Sequence, residues 1–194
     1  MGRNVVGAAL MVAFGVGFAA EAPAQPTSAQ SNIQLAQAKP TKPAAAAPVA
    51  APELLGKFGD WAAYVSQTPK TKICYALSQP KDRQPASLKR DPGFMFISHR
   101  PGEGVRNEVS ATMGFPLRDG DASMQIGNVV FAMTSKDENV WIKNPAEEQR
   151  LIDTMRRGKD LAIKGTSRRG NESTDRYSLS GLAQALDRVA QECK

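Results

Sequence analysis

Residues 123–133 read SMQIGNVVFAM, and this stretch decides the fold class. Two apolar runs are split by Gly127-Asn128, a dipeptide suited to a tight hairpin between two strands. Working outward, the same period of two recurs on both sides. DWAAYVS (60–66) and KICYALS (72–78) are rich in aromatic and branched residues, and FMFIS (94–98) follows a Pro92-Gly93 turn. VRNEVSATM (105–113) alternates Val109, Ala111 and Met113 on one face. NVWIK (139–143), DLAIKG (160–165) and RYSLS (176–180) add three short strands. Short strands separated by Gly, Pro and Asn turns predict an antiparallel β-sandwich or barrel-like single domain.

Two stretches carry helical spacing instead. In NPAEEQRLIDTMRRG, Asn144 is placed as N-cap, Pro145 at the first helical position and Glu147 at the capping-box position. Leu151, Ile152 and Met155 form its apolar face, and Gly158 is its C-cap. SGLAQALDRVAQEC aligns Leu182, Leu186, Val189 and Ala190. The expectation is a mainly β domain with one inserted helix and one C-terminal helix.

The folded domain is expected to span residues 53–194. Ahead of it, residues 1–24 have the layout of a secretory signal peptide: Arg3, an apolar run from Val5 to Ala20, and the small-x-small pattern Ala22-Pro23-Ala24 before Gln25. That run is short for a bilayer span, which needs about 20 apolar residues; the rival reading is an uncleaved anchor. Residues 25–52 are Ala- and Pro-rich and read as a disordered linker with little apolar surface to bury. The implied location is periplasmic, or secreted and outer-membrane associated. Within residues 53–194 there are 22 Lys and Arg (the chain's 25 less Arg3, Lys39 and Lys42) against 18 Asp and Glu (19 less Glu21). This mild, interspersed excess does not point to nucleic acid.

Export also bears on the two cysteines, Cys74 and Cys193. In an oxidising compartment two cysteines in a small domain usually pair, so a structural disulfide docking the terminal helix onto the sheet is expected, with two separate buried thiols as the alternative. Such a pair is neither a CxxC motif nor a zinc ligand set. His99, the single histidine, sits at a strand end near a Pro-Gly turn and reads as an exposed loop residue. No GxSxG elbow accompanies it, and no phosphate-cradling glycine motif occurs, so no catalytic, cofactor-binding or metal-ligating residues are assigned. Trp61 and Trp141 read as core or core-flanking residues.

The segments FGDWAAYVS, ICYALSQ, GFPL, MQIGNVVFAM, MRRGKDLAIKG and SLSGLAQAL, in that order, resemble the invasion-associated locus B family. The similarity runs from Phe58 to Cys193. It implies an exported bacterial envelope protein of mainly β fold, linked in pathogenic members to host-cell entry, with no catalytic residues to transfer. Many members carry further cysteines after the GDW segment and in mid-domain; Tyr64-Val65 and Phe131 to Thr134 stand at those places here, as in a reduced-cysteine branch. Three functional readings follow: a non-enzymatic envelope protein that binds a protein or envelope component, a binder of anionic lipids or polymers, and a hydrolase without an assembled nucleophile and base. For the second, Arg156, Arg157, Lys159, Lys164, Arg168 and Arg169 would form one basic patch if the strand after the first helix ran back beside the helix end. The competing reading is that these cations offset a helix dipole and solvate a turn.

Overall fold

The computed structural model describes residues 51–194, so the expected signal peptide and nearly all of the expected linker lie outside the described residues. Eleven strands form one antiparallel sheet: β1 (Glu53–Phe58), β2 (Trp61–Gln67), β3 (Lys72–Ser78), β4 (Asp82–Gln84), β5 (Phe94–Arg100), β6 (Val105–Thr112), β7 (Gly120–Ile126), β8 (Val129–Lys136), β9 (Asn139–Ile142), β10 (Asp160–Thr166) and β11 (Glu172–Ser178). Their order across the sheet is β1-β2-β3-β5-β6-β9-β8-β7-β10-β11-β4. Two helices complete the domain, α1 (Glu148–Arg157) between β9 and β10, and α2 (Leu182–Glu192) at the C-terminal end. The expected mainly β fold with one inserted and one terminal helix is therefore present.

The hairpin at Gly127-Asn128 forms as read: Ile126 pairs with Val129, and Gly127 takes a φ of 54°. Period-two alternation sends Trp61, Ala63 and Val65 inward from β2, Met95 and Ile97 from β5, and Phe131 and Met133 from β8. These join Leu151, Ile152 and Met155 of α1 and Leu182, Leu186 and Val189 of α2 in one core. Ala190 is exposed; the buried face instead runs Leu182, Ala185, Leu186, Val189 and on to Cys193, at steps of one, three and four residues.

The sheet rolls until its early and late strands meet. Asp60 N–H donates to the Ser180 carbonyl at 3.0 Å, and the indole Nε1–H of buried Trp61 donates to the Ser178 carbonyl at 2.9 Å. Gly181 closes this junction at a φ of 88°; an added Cβ would overlap the Phe58 carbonyl, so a side chain is excluded on two counts. Covalent closure follows. Cys74 and Cys193 are joined, with Cα atoms 5.9 Å apart, and the bridge holds α2 against β3. Lys72 Nζ reinforces it by donating to the Glu192 carbonyl at 2.7 Å and its carboxylate at 2.9 Å.

Several boundaries differ from the sequence reading. Asn144 does cap, accepting from Ala146 N–H at 3.1 Å, but it caps a single 3-10 turn (Pro145–Glu147) and α1 begins at Glu148. Glu147 pairs with Arg150 at 2.9 Å. Gly158 ends α1 in an extended conformation, not a left-handed one; crowding explains it, since a Cβ would meet Ile126 Cγ2 and Leu179 Cδ1 at 2.8 Å. β1 and β4 carry no clear alternation and were not expected, and β11 starts at Glu172, ahead of RYSLS.

Candidate functional site

β11 breaks the rule that inward residues are apolar. Its buried side is Ser173, Asp175 and Tyr177. Asp175 is fully buried and held by two arginines. Arg83, on β4, donates to Asp175 Oδ2 at 3.1 Å, and Arg90, from the following loop, donates to Oδ1 at 3.2 Å. Arg83 also reaches the carbonyls of Asp91 at 2.7 Å and Met113 at 2.6 Å. Burial pushes the Asp175 carboxyl above the ordinary carboxylate range, against the downward pull of Arg83 and Arg90. Two guanidiniums share this one buried carboxylate.

Above the triad lies a cleft of about 430 Å³ between three loops. One contributes Leu88, Lys89 and Arg90, the second Phe115 and Pro116, and the third is the β10–β11 turn from Ser167 to Asn171. Arg90 lies over the Phe115 ring at 5.9 Å, within cation–π range. Arg168 is tied to the Leu117 carbonyl at 3.3 Å and to Asp137, also at 3.3 Å; Asp137 is outside the lining. The lining holds four cations and no carboxylate. At its buried side is Ser173, 1% exposed, whose hydroxyl has no hydrogen-bond partner. An unsatisfied buried polar group costs about 1–3 kcal/mol, so its presence calls for a reason. Chemically, the cleft offers an apolar wall, a cationic rim and, at its buried side, a hydroxyl without a partner. Its volume falls within the range of small-ligand sites.

The six cations singled out in sequence do not come together. Arg157 and Lys159 line a hollow at the end of α1 with Ile126 and Gly127, while Arg156 is bound to Asp187 at 3.0 Å. Lys164 projects, exposed, from mid-β10. Arg168 and Arg169 lie past the other end of β10, whose seven residues span roughly 23 Å at about 3.3 Å each. The strand runs away from the helix end, so one patch becomes two. Lys89, Arg90, Phe115 and Ser173, which share the cleft with Arg168 and Arg169, escaped the sequence reading. Their only signal was the polar inward face of β11.

His99 also departs from expectation. It is not an exposed loop residue but sits in β5, 4% exposed, directly across from Cys74. Strand β5 extends past the residue where the apolar pattern stops, and His99 continues its inward face. Nε2 pairs with Asn107 Oδ1 at 2.8 Å, which assigns the ring proton to Nε2, while Nδ1 is buried without a partner. Burial holds the His99 pKa below its ordinary value of about 6.5, opposed by Asn107 and assisted by the Arg106 cation. The unfolded chain protonates near pH 6.5 while the folded ring stays neutral, so stability is lost as pH falls below about 6.5. Urea midpoints measured across that window are expected to decline in the parent and to flatten in His99→Gln; equal slopes would refute the assignment.

On the outer face of the sheet, Tyr64 stacks on Tyr75 with ring centroids 5.4 Å apart, and Phe96 and Phe94 extend the row. Trp141 is half-buried on β9, and Trp61 is core, as expected of each. Among the described residues there is no cluster of three metal-ligating side chains, and no helix is long and apolar enough to cross a membrane. Comparison of the chain with protein-family models, curated proteins and solved structures found no match.

Proposed function

We propose that this chain is an exported, non-enzymatic envelope protein that acts by binding an anionic envelope component. The observation that carries the reading is the cleft beside β11, with Lys89, Arg90, Arg168 and Arg169 on its lining and no carboxylate among the lining residues; Asp175 and Asp137, which pair with Arg90 and Arg168, lie outside that lining. The layout of residues 1–24 supports export, as does the disulfide, a bond favoured in oxidising compartments. The resemblance to invasion-associated locus B proteins supports the envelope setting. A host-entry role is part of that resemblance and has no separate support in the geometry.

Sedimentation with phosphatidylglycerol vesicles tests the proposal, with phosphatidylcholine vesicles as the neutral control. Binding to the anionic vesicles should fall as salt rises, because exposed charges are screened beyond about 8 Å at physiological ionic strength. Exposed pairs are worth about 0.2–1 kcal/mol each, so the Arg168→Ala/Arg169→Ala double variant should bind roughly fivefold more weakly. Equal binding by that variant, with its fold and disulfide intact, would overturn the reading.

A further inference from the structure

The cleft is more than a basic surface, since its walls differ in chemistry. Leu88, 37% exposed, together with Phe115 and Pro116, provides apolar area that a bare anion such as inorganic phosphate would leave uncovered. Ser173 provides the opposite. Its buried hydroxyl stands where an inward strand position normally carries an apolar side chain, and it has no partner within the protein. Arg90, whose side chain is only 5% exposed, brings a desolvated guanidinium to the same buried side. Asp175 is shared between Arg90 and Arg83, so it does not neutralise both. A hydrogen bond to a charged group strengthens when water is excluded, and this is the part of the cleft from which water is most excluded.

We infer that the cleft takes one amphipathic anion, a single apolar chain ending in an oxyanion, with the chain on Leu88, Phe115 and Pro116 and the head toward Ser173 Oγ and Arg90. This rests on the reading of the cleft as an anion site and adds the ligand class. Arg169 and Lys89 at the rim would draw such a ligand in, and the head would accept the Ser173 hydroxyl proton in a hydrogen bond. Neither a free phosphate nor an uncharged lipid uses both walls.

Amide NMR titration of the disulfide-intact protein tests this with four probes: octanoate, octyl phosphate, acetate and octanol. Octanoate or octyl phosphate should shift the amides of residues 88–90, 115 and 167–173, and the tighter of the two identifies a carboxylate or a phosphate head. Acetate and octanol, each lacking one half, should bind at least about tenfold more weakly. Ser173→Ala should weaken the better probe by about tenfold, and Leu88→Asp, a rim change remote from the core, should abolish tail binding. Acetate equal to octanoate, both anionic probes failing to shift these amides, or both variants binding like the parent would overturn the inference. If the phosphatidylglycerol vesicles still bind through Arg168 and Arg169 while octanoate and octyl phosphate do not bind, surface adhesion stands and the amphipathic ligand alone is refuted. If octanoate enters the cleft while the vesicles do not bind, the proposed vesicle contact alone fails.

Discussion

The Asp175→Ala variant is expected to lose about 3–5 kcal/mol of stability, the range seen when one partner of a buried ion pair is removed. Its carboxylate is fully buried, and removing it leaves Arg90, 5% exposed, and Arg83, 20% exposed, without their counter-charge. The loss should localise as well as weaken. Strand β4 and the loop carrying Arg90 are fixed to the sheet end through those guanidiniums, so their amides should exchange with solvent faster than those of the β7–β8 hairpin. Denaturant unfolding and hydrogen exchange together check this. A variant within about 1 kcal/mol of the parent would show that the triad contributes no more than an ordinary surface group. Replacing all three charges with apolar side chains of similar size should recover much of the loss, because no charge is then left buried alone.

Breaking the Cys74–Cys193 bridge is the second large expected effect. The residues it joins are 119 apart in sequence, and loop-closure entropy alone would set its contribution near 5 kcal/mol for a loop of this size; removal of native bridges from small secreted domains costs about 2–5 kcal/mol. Cys74→Ala and Cys193→Ala should each lower the melting temperature by about 10 °C. The double variant should be scarcely worse than either single, since all three lose the same bond. Additive losses would mean that the two side chains stabilise the domain separately, as packed core groups. Reductant should lower the parent's melting temperature and leave both single variants unchanged.

Legibility in the sequence followed hydrophobic alternation closely. The hairpin at Gly127-Asn128, the inward Trp61, Ala63 and Val65, and the apolar stripe Leu151-Ile152-Met155 were readable because burial and periodicity coincide there. The disulfide was readable from the expectation of export and from the cysteine number alone. β11 was largely missed because Ser173 and Asp175 face inward, reversing the usual pattern, and the partners of Asp175, Arg83 and Arg90, lie on the far side of the sequence. β4 was missed for the same reason: three polar residues make a strand only because β11 offers its edge. The cleft shares that origin. Its lining comes from three loops whose proximity depends on the pairing of distant strands, and local pattern carries no signal for that. The six-cation patch failed on geometry, since a strand lies along its length between two groups of charges.

The ties that close the domain also fix an order in time. Trp61 donates to a carbonyl 117 residues later, Arg83 waits 92 residues for Asp175, and Cys74 waits 119 for Cys193. A chain emerging N-terminus first at roughly 5–20 residues per second would hold Cys74 as an unpartnered thiol for about 6–24 s. Through that interval Arg83 and Arg90 would stay hydrated and Cys74 would lack its one partner in the chain. The bond can therefore form only once the final helix arrives, and a chain stopped short of it would keep Cys74 as a thiol.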